Sequence, residues 1–376
     1  MTTDLHPVLA AALRDEPADR LRARVRDDGD WDGVVTEAEA QALTPLLRRR
    51  LRHRDLLERV PEPARARLER HVLVHTARTL LLARTQASVL SALAAAGVRA
   101  APLRGPALGE RLYDDPALRP CGDVDVLVDR AALGQVEGAL AALGFHEVDR
   151  RPGFAREFSY ALELVESSHG VVVEPHFALG YPPFTDSVDL GRVWSRARRA
   201  RVAGVETLVL APEATLLNLC LHVVHKAPAV PALWIYDLDR LVRREGVSLD
   251  WPEFLALARA SRLAPLVAAT LRRATALFGS PIPDDVLAEL ERAAASPLAR
   301  LLSGTSVDGK ESLAALLALP GVRARLRYAS AVLFPSPRFM TLEYGLTHRR
   351  QLGAAYARRV GYLTWQGVRG MVRLCC

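Results

Sequence analysis

The sequence predicts an α+β fold in which a small sheet-containing unit lies between two helical regions. Apolar side chains recur every three or four residues through residues 71–95, which is typical of a helix. Short β-branched runs begin after Gly97, and the helical pattern returns after Tyr181. We therefore expect a helical region over residues 1–95, a core over residues 96–180 and a mainly helical region over residues 181–376.

The core should alternate strands with helices. Within it, strands are predicted over residues 98–103, 123–128, 158–165 and 170–177, and helices over residues 106–113 and 133–143. Beyond the core, a hairpin turning at Gly204 precedes helices over residues 214–224, 233–244, 251–260 and 265–278. The polar, glycine-bearing segment 302–312 is expected to form a mobile loop.

Composition narrows the class of protein. The chain has 376 residues, a net charge of +7 and lysine at only two positions, Lys226 and Lys310. Basic residues occur along the whole length, so we interpret the arginine excess as a compositional bias. No apolar run approaches the roughly 18 residues of a membrane helix, and the N-terminus lacks a signal-peptide pattern. The four cysteines show no disulfide or zinc spacing, and a cytoplasmic protein without a membrane partner is expected.

Two aspartates in one predicted strand are the first candidate site. Asp123 and Asp125 are two residues apart, so both side chains should project from the same face. Glu174 ends a second apolar strand and is costly to bury without a partner. Three clustered carboxylates suit Mg²⁺, and two ions are expected. Glu174 could also act as a base that takes the proton of a hydroxyl nucleophile. The alternative is that Asp123 caps a turn and Glu174 pairs with an arginine.

The segments around these acids resemble a known bacterial family. The matching segments are Leu103-Arg104-Gly105-Pro106-Ala107-Leu108, residues 112–128 with Gly122-Asp123-Val124-Asp125, Glu174-Pro175-His176, residues 210–222 and residues 234–238. They are similar to the poorly characterised nucleotidyltransferase family of the DNA polymerase β superfamily. The resemblance covers roughly residues 85–245. It implies a minimal polymerase-β-like core, a mixed sheet with helices on one face, that transfers a nucleoside monophosphate from an NTP with magnesium.

The resemblance also implies roles for individual residues. Asp123, Asp125 and Glu174 would be the metal ligands and catalytic carboxylates. The candidate nucleotide-binding residues are Arg104, Gly105, Arg119, Gly122, Lys226 and Asp237, of which Lys226 is chosen because lysine is so rare in this chain and Asp237 because it could orient Lys226 or bind ribose. Arg119 could instead be a surface residue, and Asp237 could lie on a solvated helix face. Two positions depart from the family pattern, since Arg104 replaces a lysine and Pro106 replaces a residue that often supplies a hydroxyl and an amide.

Two further features carry open alternatives. His222 and His225 lie one helical turn apart, and a packed helix is favoured over a metal site. Residues 323–373 mix arginines with aromatics, a pattern found in nucleic-acid-binding segments and equally in packed helices.

The predicted function is a magnesium-dependent nucleotidyltransferase that uses an NTP donor, releases pyrophosphate and acts on an unidentified acceptor. A toxin-like enzyme acting on tRNA and a catalytically silent nucleotide-binding module are the alternatives, with nucleic acid given the lesser weight. Replacing Asp125 with Asn is expected to abolish turnover without unfolding the protein.

Overall fold

The computed structural model describes residues 5–14, 16–27, 29–148, 151–227, 229–294, 296–299 and 310–375. Most of the predicted loop over residues 302–312 lies outside the described residues, and residue 310 begins a helix. No helix in the described ranges combines the length and the apolar character needed to cross a membrane.

The N-terminal region is helical, as predicted. Its helices are α1 Pro7–Leu13, α2 Ala18–Asp27, α3 Trp31–Ala40, α4 Thr44–His53 and α5 Glu62–Ala95. Helix α5 ends before Gly97, which has a φ of +69° and so takes the left-handed conformation that ends many helices.

The core contains a five-stranded mixed sheet flanked by short helices, which confirms the α+β prediction. Its elements are β1 Ala100–Pro102, α6 Pro106–Leu112, β2 Asp123–Val128, α7 Leu133–Ala141, β3 Phe145–Glu147, α8 Phe154–Phe158, β4 Leu164–Glu166 and β5 Val172–His176. The strand order is β1-β2-β5-β4-β3. Strands β2 and β5 are parallel, and the other neighbours are antiparallel. The parallel pair brings two segments about 50 residues apart side by side.

Alternation along β2 separates the core from the candidate site. Val124, Val126 and Val128 are buried in one apolar cluster with residues of α5 and α7. Asp123 and Asp125 therefore lie on the opposite face, as the two-residue period of a strand requires.

The C-terminal region returns mainly to helix. Its elements are α9 Leu190–Ser195, β6 Arg198–Val202, β7 Val205–Val209, α10 Pro212–Lys226, α11 Ala232–Glu245, α12 Trp251–Ala260, α13 Ala264–Phe278, α14 Asp284–Arg292, α15 Lys310–Ala318, α16 Gly321–Leu333, α17 Pro337–Glu343 and α18 Leu352–Cys375. The hairpin predicted around Gly204 is present as β6 and β7. The largest apolar cluster joins side chains from Leu5 to Ala299, so the N-terminal and C-terminal helices share one core.

The strand predicted over residues 158–165 is largely wrong. Helix α8 ends at Phe158, and β4 begins only at Leu164. The rings of Phe154 and Phe158 lie 5.8 Å and 5.1 Å from that of Tyr328. This packing against a distant helix stabilises a conformation that the local β-branched pattern does not indicate. The short strand β3 was also not predicted.

Candidate active site

The parallel strands β2 and β5 place three acids on one face of the sheet. Asp125 is in register with Glu174, and Asp123 with Val172. His176 follows Glu174 by two residues and so projects from the same face of β5. The predicted acids are therefore brought together, with a histidine that was not predicted to have a role.

Asp125 lies at the centre of this group and is held by an arginine. Asp125 is 2% exposed, and Arg104 is 5% exposed. Arg104 donates from Nε to Oδ2 at 3.0 Å and from Nη2 to Oδ1 at 2.9 Å. Burial alone would raise the pKa of Asp125, but Arg104 and a hydrogen bond from His176 hold it well below its usual range. Asp125 is therefore an ionised carboxylate with a protein cation already in place.

His176 on β5 forms a side-chain hydrogen bond with Asp125 on β2. Its Nε2 lies 2.9 Å from Oδ1 of Asp125 and 3.4 Å from Oε2 of Glu174. Burial would lower the pKa of His176, but these hydrogen bonds to Asp125 and Glu174 raise it. Asp125, Glu174 and His176 each have a ligand atom within 4.8 Å of the others, so the group could hold a metal ion. The two-residue spacing from Glu174 is the sequence signal that could have identified His176.

Asp123 lies at the edge of the group and is only partly buried. Burial, together with the negative charges of Asp125 and Glu174, raises the pKa of Asp123 to about 6. The part of this shift that comes from the neighbouring carboxylates is the part that a bound cation would relieve.

The loop before α6 closes against β2. Gly105 has a φ of +64°, and a Cβ atom there would lie 2.8 Å from the carbonyl oxygen of Asp123. A residue without a side chain is therefore required at this contact. Gly122 is exposed, a Cβ there would meet nothing within 4 Å, and its carbonyl accepts a hydrogen bond from Nη2 of Arg78 at 2.7 Å.

Arg119 and Asp237 form a second buried ion pair. Arg119 is 5% exposed and Asp237 is 1% exposed, so the expectations of a surface arginine and of a solvated helix face are wrong. Nη2 of Arg119 donates to Oδ2 of Asp237 at 2.8 Å, and Nη1 donates to the carbonyl oxygen of Gly105 at 3.2 Å. Tyr113 donates its hydroxyl hydrogen to Oδ1 of Asp237 at 2.7 Å. Arg119 and Asp237, both predicted to bind nucleotide, thus contact other groups of the protein. Arg119 also holds the Gly105 loop through the carbonyl oxygen of Gly105.

The histidines of α10 pack against aromatic rings. His225 stacks on Tyr181 with ring centroids 4.1 Å apart, and Nδ1 of His222 lies 3.1 Å from the Tyr181 hydroxyl. Burial lowers the pKa of His225 to about 3 and that of His222 well below its usual value. This agrees with the packed-helix interpretation. Lys226 is exposed at the end of α10, where its charge also lowers the pKa of both histidines.

The alternative pairing of Glu174 with an arginine is wrong, because among the described residues its ion-pair partner is His176. The arginine in this group of acids, Arg104, pairs with Asp125 instead.

A cavity of about 330 Å³ opens beside Glu174. Residues of the core and of the C-terminal region line it together, including Tyr160, Arg151, Phe154 and Phe339. Sequence reasoning missed this cavity, because its walls come from segments almost 200 residues apart.

Comparison with known proteins adds one match. A protein-family model described as an uncharacterised nucleotidyltransferase matches residues 27–279. No curated protein and no solved structure matches the chain significantly.

Proposed function

The chain belongs to this family of uncharacterised nucleotidyltransferases, and from that membership we propose that it moves a nucleoside monophosphate from an NTP to an acceptor hydroxyl. The acceptor oxygen bonds to the α-phosphorus, the bond to the β-phosphate oxygen breaks, and pyrophosphate leaves. The acceptor proton passes to a carboxylate. We expect the reaction to take place in the cytoplasm, where NTPs are available.

One observation carries the proposal. Asp123, Asp125 and Glu174 lie on adjacent parallel strands, on one face, in a family whose described chemistry is nucleotidyl transfer. Clustered acids repel one another, and the negative charges of Asp125 and Glu174 add to burial in raising the pKa of Asp123. A protein without use for a cation gains nothing from such a group.

The donor atoms fit Mg²⁺. Carboxylate oxygens are its preferred protein ligands, and Glu174 keeps about a quarter of its side-chain surface exposed. A magnesium ion bound here would neutralise triphosphate charge and lower the pKa of the acceptor hydroxyl. Three carboxylates are enough in number for the two ions expected from the sequence.

The remaining steps fall to the chain itself. Glu174 borders the cavity, so an acceptor bound there has its hydroxyl beside a carboxylate able to take the proton. Gly105 lets the loop pack closely against the backbone carbonyl of Asp123 in β2. Most of the rate enhancement would come from positioning and from charge stabilisation.

Pyrophosphate release tests the proposal. The protein is incubated with Mg²⁺, each of the four NTPs and a set of acceptors that carry a hydroxyl, and thermal stabilisation by each NTP identifies the donor. Asp123→Asn should abolish the release and the magnesium-dependent stabilisation. Asp125→Asn is a poorer test than the sequence indicated, because it would leave Arg104 buried without a counter-ion.

Asp285→Asn is the matched control, since Asp285 is an exposed aspartate on α14. It should behave as the wild type does. Stabilisation by an NTP without pyrophosphate release, over a broad set of acceptors, would favour the silent nucleotide-binding module instead.

A second candidate is an RNA acceptor, as in the toxin-like alternative. Residues 310–376 contain 11 basic and 2 acidic side chains, a net charge of +9, whereas the whole chain carries +7. The other 309 residues therefore carry −2, so the positive charge is concentrated, contrary to the uniform bias inferred from the sequence. The exposed rings of Phe334, Tyr362 and Trp365 could stack on bases.

RNA binding that weakens steeply between about 50 and 200 mM salt, with transfer of label from NTP to the RNA, would favour this candidate. Salt-independent labelling of a small molecule would exclude it.

A further inference from the structure

The C-terminal helices combine exposed apolar side chains with positive charge. In the described part of the chain, eight of the 13 large apolar side chains that are exposed lie between residues 310 and 375. With 11 basic and 2 acidic side chains, residues 310–376 carry a net charge of +9, against −2 for the rest of the chain. Exposed apolar side chains that are concentrated in one part of a surface indicate that this part binds a partner.

Helix α18 has an exposed apolar face with arginines beside it. Tyr362, Trp365 and Val368 recur every three residues, so they follow one side of the helix, and each is between 44% and 53% exposed. Arg358 precedes Tyr362 by four residues. Arg369 follows Trp365 by four, and its guanidinium carbon lies 4.5 Å from the centre of the indole ring. The helix contains four arginines and no acidic residue.

Helix α16 repeats this pattern. Val322 and Leu326 are one turn apart, and both are exposed. The helix contains three arginines and no acidic residue. Its inner side packs against α18, since Tyr328 and Val332 share an apolar cluster with Leu363. The apolar side chains of α16 are therefore divided between an inner cluster and an exposed face.

The chemistry of the exposed side chains favours a lipid surface over RNA. Arginines and aromatic rings suit either partner. Val322, Leu326 and Val368 are aliphatic and cannot stack on bases, whereas the boundary between lipid headgroups and acyl chains buries such side chains. Tyrosine and tryptophan are enriched at that boundary, and arginine can extend its charge to the headgroups. The excess of positive charge complements anionic headgroups.

We propose that the exposed faces of α16 and α18 bind the surface of an anionic lipid bilayer. The inference is independent of the proposed transfer reaction. It goes against the expectation of a protein without a membrane partner, which rested on the lack of an apolar run long enough to cross a bilayer. A helix that lies in the interface needs no such run.

Flotation of the full chain with lipid vesicles tests the proposal. The vesicles contain phosphatidylcholine alone, or phosphatidylcholine with about 30% phosphatidylglycerol. The partition coefficient should be at least about tenfold higher on the anionic vesicles, and it should fall when salt is raised from about 0.1 to 0.5 M. Equal partition onto both kinds of vesicle, or onto neither, would overturn the inference.

Apolar variants test the face of α18. Trp365→Ser combined with Val368→Ser should lower the partition coefficient on anionic vesicles by more than about tenfold, because less apolar surface enters the interface. Leu80→Ser is the matched control, since Leu80 is 64% exposed on α5, outside this segment, and the variant should bind as the wild type does. All three side chains are exposed, so the melting temperatures should not change. Wild-type binding by the double variant would contradict the proposal.

Charge variants test whether the arginines act locally. Arg369→Glu should weaken binding to anionic vesicles by about tenfold or more. Arg24→Glu, on an exposed position of α2, changes the net charge by the same amount and should weaken binding by less than about twofold, since charges far from the interface are screened. Equal losses in both variants would show that net charge, and not this surface, attracts the protein. Salt-sensitive RNA binding without flotation would overturn the inference in favour of the RNA candidate.

Discussion

Two buried arginine–aspartate pairs flank the Gly105 loop, and they have nearly the same internal geometry. Arg104 and Asp125 are joined by bonds of 2.9 and 3.0 Å, and the shortest bond between Arg119 and Asp237 is 2.8 Å. A tyrosine hydroxyl contacts each pair. Their surroundings differ, because only the first pair adjoins two further acids and a histidine.

The difference shows that a buried ion pair gains its role from its neighbours. The second pair joins the core to α11 and braces the carbonyl of Gly105, so it contributes to architecture. The first pair places a cation inside a cluster of acids, so it offsets part of their negative charge. An arginine–aspartate pair thus holds a loop in one place and offsets the charge of an acidic cluster in the other.

The largest expected effect comes from removing the arginine of each pair. Arg119→Met and Arg104→Met should each lower the free energy of unfolding by about 3–5 kcal/mol, because each leaves a buried carboxylate without its arginine. Added Mn²⁺ should restore stability to Arg104→Met, whose free aspartate adjoins other ligands, and not to Arg119→Met. Urea unfolding with and without Mn²⁺ measures both. Equal rescue of the two variants would contradict the distinction.

The sequence could predict where the acids of the site lie, but not which arginines pair with them. The bounds of β2 follow from alternating valines, and the face shared by Asp123 and Asp125 follows from strand period. Glu174 was expected beside them because it ends a second apolar strand, and the family resemblance implied the same residue. His176 was missed although its spacing from Glu174 indicates the same face.

The ion pairs themselves carry no local signal. Arg119 and Asp237 are 118 residues apart, and they meet because α11 packs over the core. Arg104 and Asp125 are 21 residues apart, but arginines are so frequent in this chain that neither pairing stood out. Long-range packing decides which arginine meets which acid, and periodicity describes only one element at a time.

A smaller effect is expected at the loop that both pairs border. Gly105→Ala forces a side chain into a positive φ and against the carbonyl of Asp123, at a cost of about 1–3 kcal/mol. Relief of the clash should displace Asp123 and weaken Mn²⁺ binding as well. Gly122→Ala is the matched control, because its φ is ordinary and nothing lies within 4 Å of the added Cβ. Unchanged Mn²⁺ affinity in Gly105→Ala would show that the loop does not position the acid.

Removing the tyrosine hydroxyl at each ion pair tests whether the two pairs stabilise the protein independently. Tyr113→Phe and Tyr181→Phe each remove a hydrogen bond to a charged group, worth about 1.5–3 kcal/mol. In the Arg104→Met, Asp125→Leu background, the cost of Tyr181→Phe should largely disappear and the cost of Tyr113→Phe should persist. Double-mutant cycles from urea unfolding measure this coupling. A fall in the cost of Tyr113→Phe in that background would mean that the pairs act as one network.

The smallest effect is a pH-dependent one at Asp123. Its folded pKa, about 6, is above the usual carboxyl value, so the ionised form is disfavoured in the folded metal-free protein. The resulting penalty is fully present above pH 6, falls as the pH drops through that value, and is absent below the unfolded pKa near 4. Asp123→Asn removes the penalty, so in EDTA the variant should melt at a higher temperature than the wild type at pH 7.5. That difference should shrink toward zero near pH 4. Asp285→Asn, on an exposed helix face, should show no such trend. A difference that stays constant across this range would mean that the pKa of Asp123 is not raised in the folded protein, and it would remove one reason for placing the cation there.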